Sequence, residues 1–144
     1  VKLEDIQAAW KSDSAIDRTE LGEESLKIPQ LHSKYFNLFS QERLTYKKME
    51  SDYKRLLRLK HEYYTGVISE EDLREHQWDP FQLKILRTDL SLYLESDIDL
   101  QTLQLKLEMQ KEKVDFLDSA IKSLSVRGYQ IKNAIDWTKF QMGG

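Results

Sequence analysis

The sequence predicts an all-α fold: an elongated protomer of long helices with a coiled-coil-like seam in its C-terminal third. Three observations carry that prediction. Only five Gly and two Pro interrupt 144 residues, and one-third of the chain is charged, a balance suited to helices with few turns between them. From Leu31 to Tyr63, apolar residues recur at spacings of three, four and seven. From Leu103 to Thr138 the spacing alternates four and three without a slip.

Taken in order, Leu3, Ile6 and Trp10 predict a short helix over Val1 to Lys11, interrupted by Asp13 and Ser14. Asp17 is a candidate N-cap for a second helix starting near Arg18, with Glu20 in its first turn. Pro29 reads either as a kink or as the first position of a new helix. A long helix is predicted from Pro29 to Tyr64, with Tyr35, Leu38, Tyr46, Met49, Tyr53 and Leu56 along one side, stopped by Thr65-Gly66. Its register drifts around Glu42 to Thr45, so this stripe is not a strict seam. Ser69 with Asp72 resembles a capping box for a short acidic helix to about Gln77, before Trp78-Asp79-Pro80 breaks it. Leu83, Leu86, Leu90 and Tyr93 predict a further amphipathic helix over Phe81 to Glu95, after which Asp97 and Asp99 can cap the last helix. The chain thus divides into a helical basic region at 1–66, a connector at 67–80 and a helical region at 81–144.

The last helix has the cleanest pattern. Leu103, Leu107, Gln110, Val114, Leu117, Ile121, Leu124, Gly128, Ile131, Ile135 and Thr138 hold five heptads in register, roughly 60 Å of helix at 1.5 Å per residue. Gln110 is a polar break of the kind that fixes register. Gly128 costs about 1 kcal/mol relative to Ala, and either admits a close backbone approach or marks a helix end at Arg127. Continuation is the expectation. The seam has two possible destinations: back onto the first long helix, or onto another copy of the chain.

Charge is unevenly placed. Arg43 to His61 holds seven Lys/Arg against two acids, a local +5 in a chain of net −3, so the remainder sums to −8. On a helix, Arg43, Lys47, Lys54, Arg58 and His61 fall within about 60° of one another. A basic face in an acidic chain points to a polyanion; a merely solvated face is the alternative. Single-strand binding also uses π-faces, and Tyr63, Tyr64 and Tyr35 offer them, with burial in a core as the competing fate. Lys60 falls among Met49, Tyr53 and Leu56 on the apolar side, where an unpaired ammonium is costly. It either snorkels at the helix end or lines an oligomer groove along which DNA runs.

Other chemistry is missing. Without cysteine there is no disulfide framework, thiolate metal site or cysteine nucleophile. No apolar run approaches the ~18 residues that cross a bilayer, and the N-terminus lacks a signal-peptide core, so a cytosolic protein is expected. No Gly-rich phosphate loop, nucleophile elbow or His-Glu-x-x-His pair occurs. His76 beside Glu75 and Asp79 is a single histidine amid surface acids. Neither metal, cofactor nor catalysis is expected. With no zinc finger, basic zipper or recognition helix, base-specific duplex reading is unsupported.

The run L-R-L-K-H-E-Y-Y-T-G at Leu57 to Gly66 resembles the basic-then-YYSG segment of the UvsY-type recombination mediator proteins of T-even-like phages. The opening V-K-L-E-D-I-Q, I-D-R-T-E-L at Ile16 to Leu21 and S-K-Y-F at Ser33 agree with it. So does F-L-D-S-A-I-K-S-L-S-V-R-G-Y-Q-I-K at Phe116 to Lys132, with two additional residues before the Arg-Gly. The segments keep their order over essentially the whole chain, and the match is weak between Val67 and Leu100. The resemblance implies a ring of six or seven subunits held by the C-terminal segment, hence oligomer contacts at Leu103, Leu107, Val114, Leu117, Ile121, Leu124, Ile131 and Ile135. It implies single-stranded DNA binding, for which Arg43, Lys47, Lys54, Arg58, Lys60, His61, Tyr63 and Tyr64 are the candidates. Arg58 and Lys60 stand at a basic pair of that family with Lys and Arg interchanged. It further implies a RecA-like phage recombinase and a single-strand-binding protein as partners, in the cytoplasm of an infected bacterium. A coiled-coil scaffold without nucleic-acid binding is the competing reading.

Overall fold

Among residues 1–143, those the computed structural model describes, every regular element is helical. The order is α1 (Leu3–Asp13), α2 (Leu21–Thr65), α3 (Glu70–His76), a 3-10 turn (Arg87–Asp89), α4 (Leu90–Glu95) and α5 (Ile98–Gln141). None of these helices is long and apolar enough to cross a membrane. The chain forms two compact units. Val1–Thr45 with the stretch from Gln110 onward makes the first, and Tyr46–Met109 makes the second. Divisions at 66 and 80 do not coincide with these units, because α2 and α5 each supply residues to both.

The first unit is organised around Tyr35, which is fully buried with Ile6, Leu117, Ala120 and Leu124. Trp10, Leu31, Leu38, Phe39, Phe116 and Ile121 close around this core. The Trp10 ring meets the Tyr35 ring edge-on at 5.0 Å, and the Tyr35 hydroxyl donates to Asp13 Oδ2 at 2.8 Å. Tyr35 is therefore a core residue and offers no face to a base. Lys34 reaches the same carboxylate oxygen at 2.7 Å and is the main reason that the Asp13 carboxyl lies below its usual range.

Two polar side chains on α5 set how α1, α2 and α5 meet here. Arg127 is buried and donates to the carbonyls of Asp13, Ser14 and Ala15 and to Glu24 Oε2 at 3.1 Å. It thereby caps the end of α1, whose last carbonyls have no partner within the helix. Gln110 donates to the Glu42 carbonyl at 2.9 Å and to its carboxylate at 2.7 Å. The polar break in the seam is thus matched to a particular point on α2. Leu117 and Leu124 belong to the core of their own chain, and Ile131 is buried as well, so these positions are not free for a neighbouring subunit. The fold-back destination of the seam holds for them. Helix α5 continues through Gly128, which is exposed with nothing packed against it.

Helix α2 is a correction to the predicted boundaries. Asp17 accepts from the Thr19 N–H and hydroxyl in a turn, and one helix starts at Leu21 and passes through Pro29 to Thr65. Pro29 and Ser25 are both exposed, so the carbonyl that the missing N–H leaves free can turn to water. Gly66 at φ +81 ends the helix, with Val67 N–H donating to the Glu62 carbonyl and Gly66 N–H to that of Tyr63. This left-handed closure is one that a side chain resists.

In the second unit, Ser69 accepts from the Asp72 N–H to start α3, and Gln77 at φ 58 ends it. The helix expected over Phe81 to Glu95 is absent as such. Phe81 to Leu86 is irregular, and only the 3-10 turn and α4 are helical. The physical reason is the Phe81 ring, which packs 5.0 Å from Tyr64 and 5.6 Å from both Tyr63 and Tyr93. Those aromatic contacts outweigh a weak local helical pattern. Asp97 then caps α5, accepting from the Leu100 N–H at 2.9 Å.

Candidate nucleic-acid interface

The basic face lies on the part of α2 that belongs to the second unit. Lys47, Lys48, Lys54, Arg55, Arg58 and His61 are all exposed there. The apolar side of the same turns, with Met49, Tyr53 and Leu56, is partly buried. That segregation follows from helical spacing: the cations occupy an arc of about 140°, with Lys60 near its opposite pole. Lys54, Arg55 and Arg58 border a shallow depression of about 360 Å³ with Ser51, and no acid lines it. Intrahelical partners are few and loose. Lys47 reaches Glu50 at 3.6 Å and Arg58 reaches Glu62 at 3.7 Å, with the Arg58 side chain still 80% exposed. Such surface pairs hold a cation weakly and release it readily to a phosphate. Arg43, in the first unit, is exposed with its guanidinium 5.2 Å from the Phe39 ring centre.

Lys60 is a different kind of residue. It is 5% exposed, its ammonium lies 2.8 Å from Asp99 and 3.1 Å from Asp97, and it sits 4.0 Å above the Trp78 ring. The Tyr64 hydroxyl donates to Asp97 Oδ2 at 2.6 Å. Burial pushes the Asp97 carboxyl up, but Tyr64, the Leu100 N–H and Lys60 together hold it below its usual range. Burial also raises the Tyr64 phenol, and Asp97 raises it further. The Tyr63 hydroxyl donates to the Asp79 carbonyl at 2.6 Å, and its ring stands 5.5 Å from Trp78.

Lys60, Tyr63 and Tyr64 thus tie α2 to the connector and to the start of α5. The expectation has them facing DNA; here the ammonium lies between two carboxylates, and the two rings are packed against Phe81 and Trp78. Arg58 and Lys60, two residues apart, have nearly opposite orientations on the helix. Lys48 and Arg55 are the exposed cations that the angular criterion left out, although both counted toward the local charge. Partners of Lys60 lie up to 39 residues away, and nothing in the spacing announces them.

An exposed cationic helix face of this kind occurs in many settings, and comparison with known proteins shows the family in which this one stands. Residues 9–144 match the family described as recombination, repair and ssDNA binding protein UvsY. This chain belongs to the UvsY family. It is 29% identical over 143 residues to the recombination protein uvsY of Enterobacteria phage T4, covering 99% of each sequence. Crystal structures of the bacteriophage T4 recombination mediator protein UvsY are similar in fold. One superposes with a TM-score of 0.85 at 25% identity, over 97% of this chain and 99% of the other. A second, from another lattice, also gives 0.85 at 25% identity, over 99% and 98%. The UvsY fold therefore covers both compact units, and the basic turns of α2 lie within the matched region.

Proposed function

We propose that this chain is a recombination mediator that holds single-stranded DNA on the exposed face Lys47–His61 of α2. By binding the strand it weakens the hold of a single-strand-binding protein and promotes loading of a RecA-like recombinase. The observation that carries this reading is the clustering of unpaired or loosely paired cations on one helical face of a net-acidic UvsY-family chain. Mediators need contacts that are numerous and individually weak, so that the strand can be handed on. Exposed lysines and arginines on a rigid helix meet that need.

The same proposal includes a closed ring of six or seven copies. Its support is the family resemblance and the C-terminal part of α5, where Val126, Tyr129, Trp137 and Phe140 fall within about 80° on a helix, opposite the buried seam. Trp137 and Phe140 are 60% and 72% exposed and stacked 5.6 Å apart. Ring contacts are accordingly assigned to this outer face, with the partly exposed Val114 toward its edge, in place of Leu117 and Leu124.

Fluorescence anisotropy with oligo(dT) across a salt series tests the DNA assignment. Replacing Lys54, Arg55 and Arg58 together by Ala removes three phosphate contacts and should flatten the slope of log K against log salt by roughly 2. Wild-type chain that binds no oligonucleotide, or a slope untouched by the triple substitution, overturns it and favours a coiled-coil scaffold. Sedimentation of Trp137→Ser with Phe140→Ser tests the ring: smaller species are expected, and wild-type size refutes the assignment of that face.

A further inference from the structure

From Trp78 to Leu86 the chain runs without helix, turn or bend. Along it, the main-chain N–H and C=O groups of Phe81 to Ile85 make no hydrogen bond to any described residue. Leu86, at φ −68 and ψ 145, carries the extended course to the 3-10 turn. A row of unpaired peptide groups on an extended segment is a template for pairing with another strand. Here it borders a cleft of about 800 Å³ between the end of α2 and the segment itself. The cleft is lined by His61, Lys84 and Arg87 and by no acidic residue. Val67, Leu83 and Leu86 stand at its edge, each 61–71% exposed.

We propose that this cleft receives an extended peptide strand of a partner protein, one bearing acidic and apolar side chains. The strand pairs main chain to main chain with Phe81–Ile85. Its carboxylates meet Lys84, Arg87 and His61, and its apolar side chains cover Val67, Leu83 and Leu86. The charge of the lining selects an acidic strand. The unpaired peptide groups select a polypeptide, since they alternate donor and acceptor at the spacing another peptide offers. A nucleobase fits less well, because the rings at the cleft, Tyr64 and Phe81, are already packed edge-on against each other at 5.0 Å. Apart from the His61 imidazole and the two cations, what remains open is aliphatic, which stacks poorly with a base. The cleft shares only His61 with the DNA face, to which neither Lys84 nor Arg87 belongs, so substitution at those two separates the readings.

The test uses the full chain and a fluorescein-labelled eight-residue peptide alternating aspartate and valine, followed by anisotropy. Saturable binding is expected. Lys84→Glu with Arg87→Glu should weaken it about tenfold or more, since two charge-assisted contacts become repulsive. A peptide with lysine for aspartate, and one methylated at alternate main-chain nitrogens, should each bind at least about tenfold more weakly. Oligo(dT) affinity of the charge-reversed variant, measured alongside, should stay within about twofold of wild type. Equal binding of the aspartate and lysine peptides overturns the inference while leaving the DNA reading standing. Loss of oligonucleotide affinity without loss of peptide affinity overturns it too, and assigns the cleft to the nucleic-acid face. Unchanged peptide binding on N-methylation removes the strand-pairing part of the argument, and with it the proposal.

Discussion

Arg58 and Lys60 stand two residues apart, both basic, one exposed and the other buried, and substitution can separate the tasks proposed for them. Lys60→Met keeps the length of the side chain over Trp78 and removes the ammonium. Asp97, buried, then keeps only the Tyr64 hydroxyl and the Leu100 N–H. Removing one partner of a buried ion pair costs about 3–5 kcal/mol. The lower end applies here, because the Asp99 side chain is 55% exposed and is readily resolvated. A loss of about 3 kcal/mol in a chain of this size lowers the melting temperature by roughly 10 °C. Arg58→Ala, at an exposed position with one loose partner, should change stability by no more than about 0.5 kcal/mol. On oligo(dT) the order reverses: Arg58→Ala flattens the salt slope by about 0.7, and folded Lys60→Met leaves it alone. Melting followed by circular dichroism, with anisotropy at four or so salt concentrations below the transition, reads both effects. A Lys60→Met chain that melts with the wild type and shows the flatter slope would refute the reasoning, since its ammonium would then have been free for phosphate.

Two further outcomes follow from the cores of the units. Leu117→Ala, at a fully buried position, should cost about 2–5 kcal/mol in urea unfolding. An unchanged midpoint with a smaller sedimenting species would return Leu117 to a subunit interface. Its donors hold the Asp97 carboxyl below its usual range despite burial, so its contribution is present above about pH 4 and disappears as pH falls through the lower folded value. The stability gap between wild type and Asp97→Asn should therefore narrow as pH falls below about 4. A gap constant over that range would mean that Asp97 gains nothing from its three donors.

Helical class and the direction of each buried face were legible in the chain, because 100° per residue fixes every side chain's angular position once a helix is assumed. The sevenfold spacing of Gln110, Leu117, Leu124 and Ile131 marks the inner face of α5, and all four are buried. The angle of Lys60 placed it among apolar residues, and the charge window located the basic turns of α2. Gly66 and Ser69 announced a helix end and a helix start through local backbone chemistry.

What covers each face was decided only by the tertiary structure. A seam pattern states that a face is buried and not by which helix, so Leu117 and Leu124 serve the chain's own core as well as they would serve a ring. Phe81 to Leu86 carries a helical pattern of leucines, yet its conformation is set by where the Phe81 ring can pack. Lys60 shows the same division most sharply. Sequence position placed it on the apolar side of α2 and left snorkelling or a DNA groove as its fate. Only the fold brings Asp97, Asp99 and Trp78 to it from across the second unit and pairs the charge with two carboxylates.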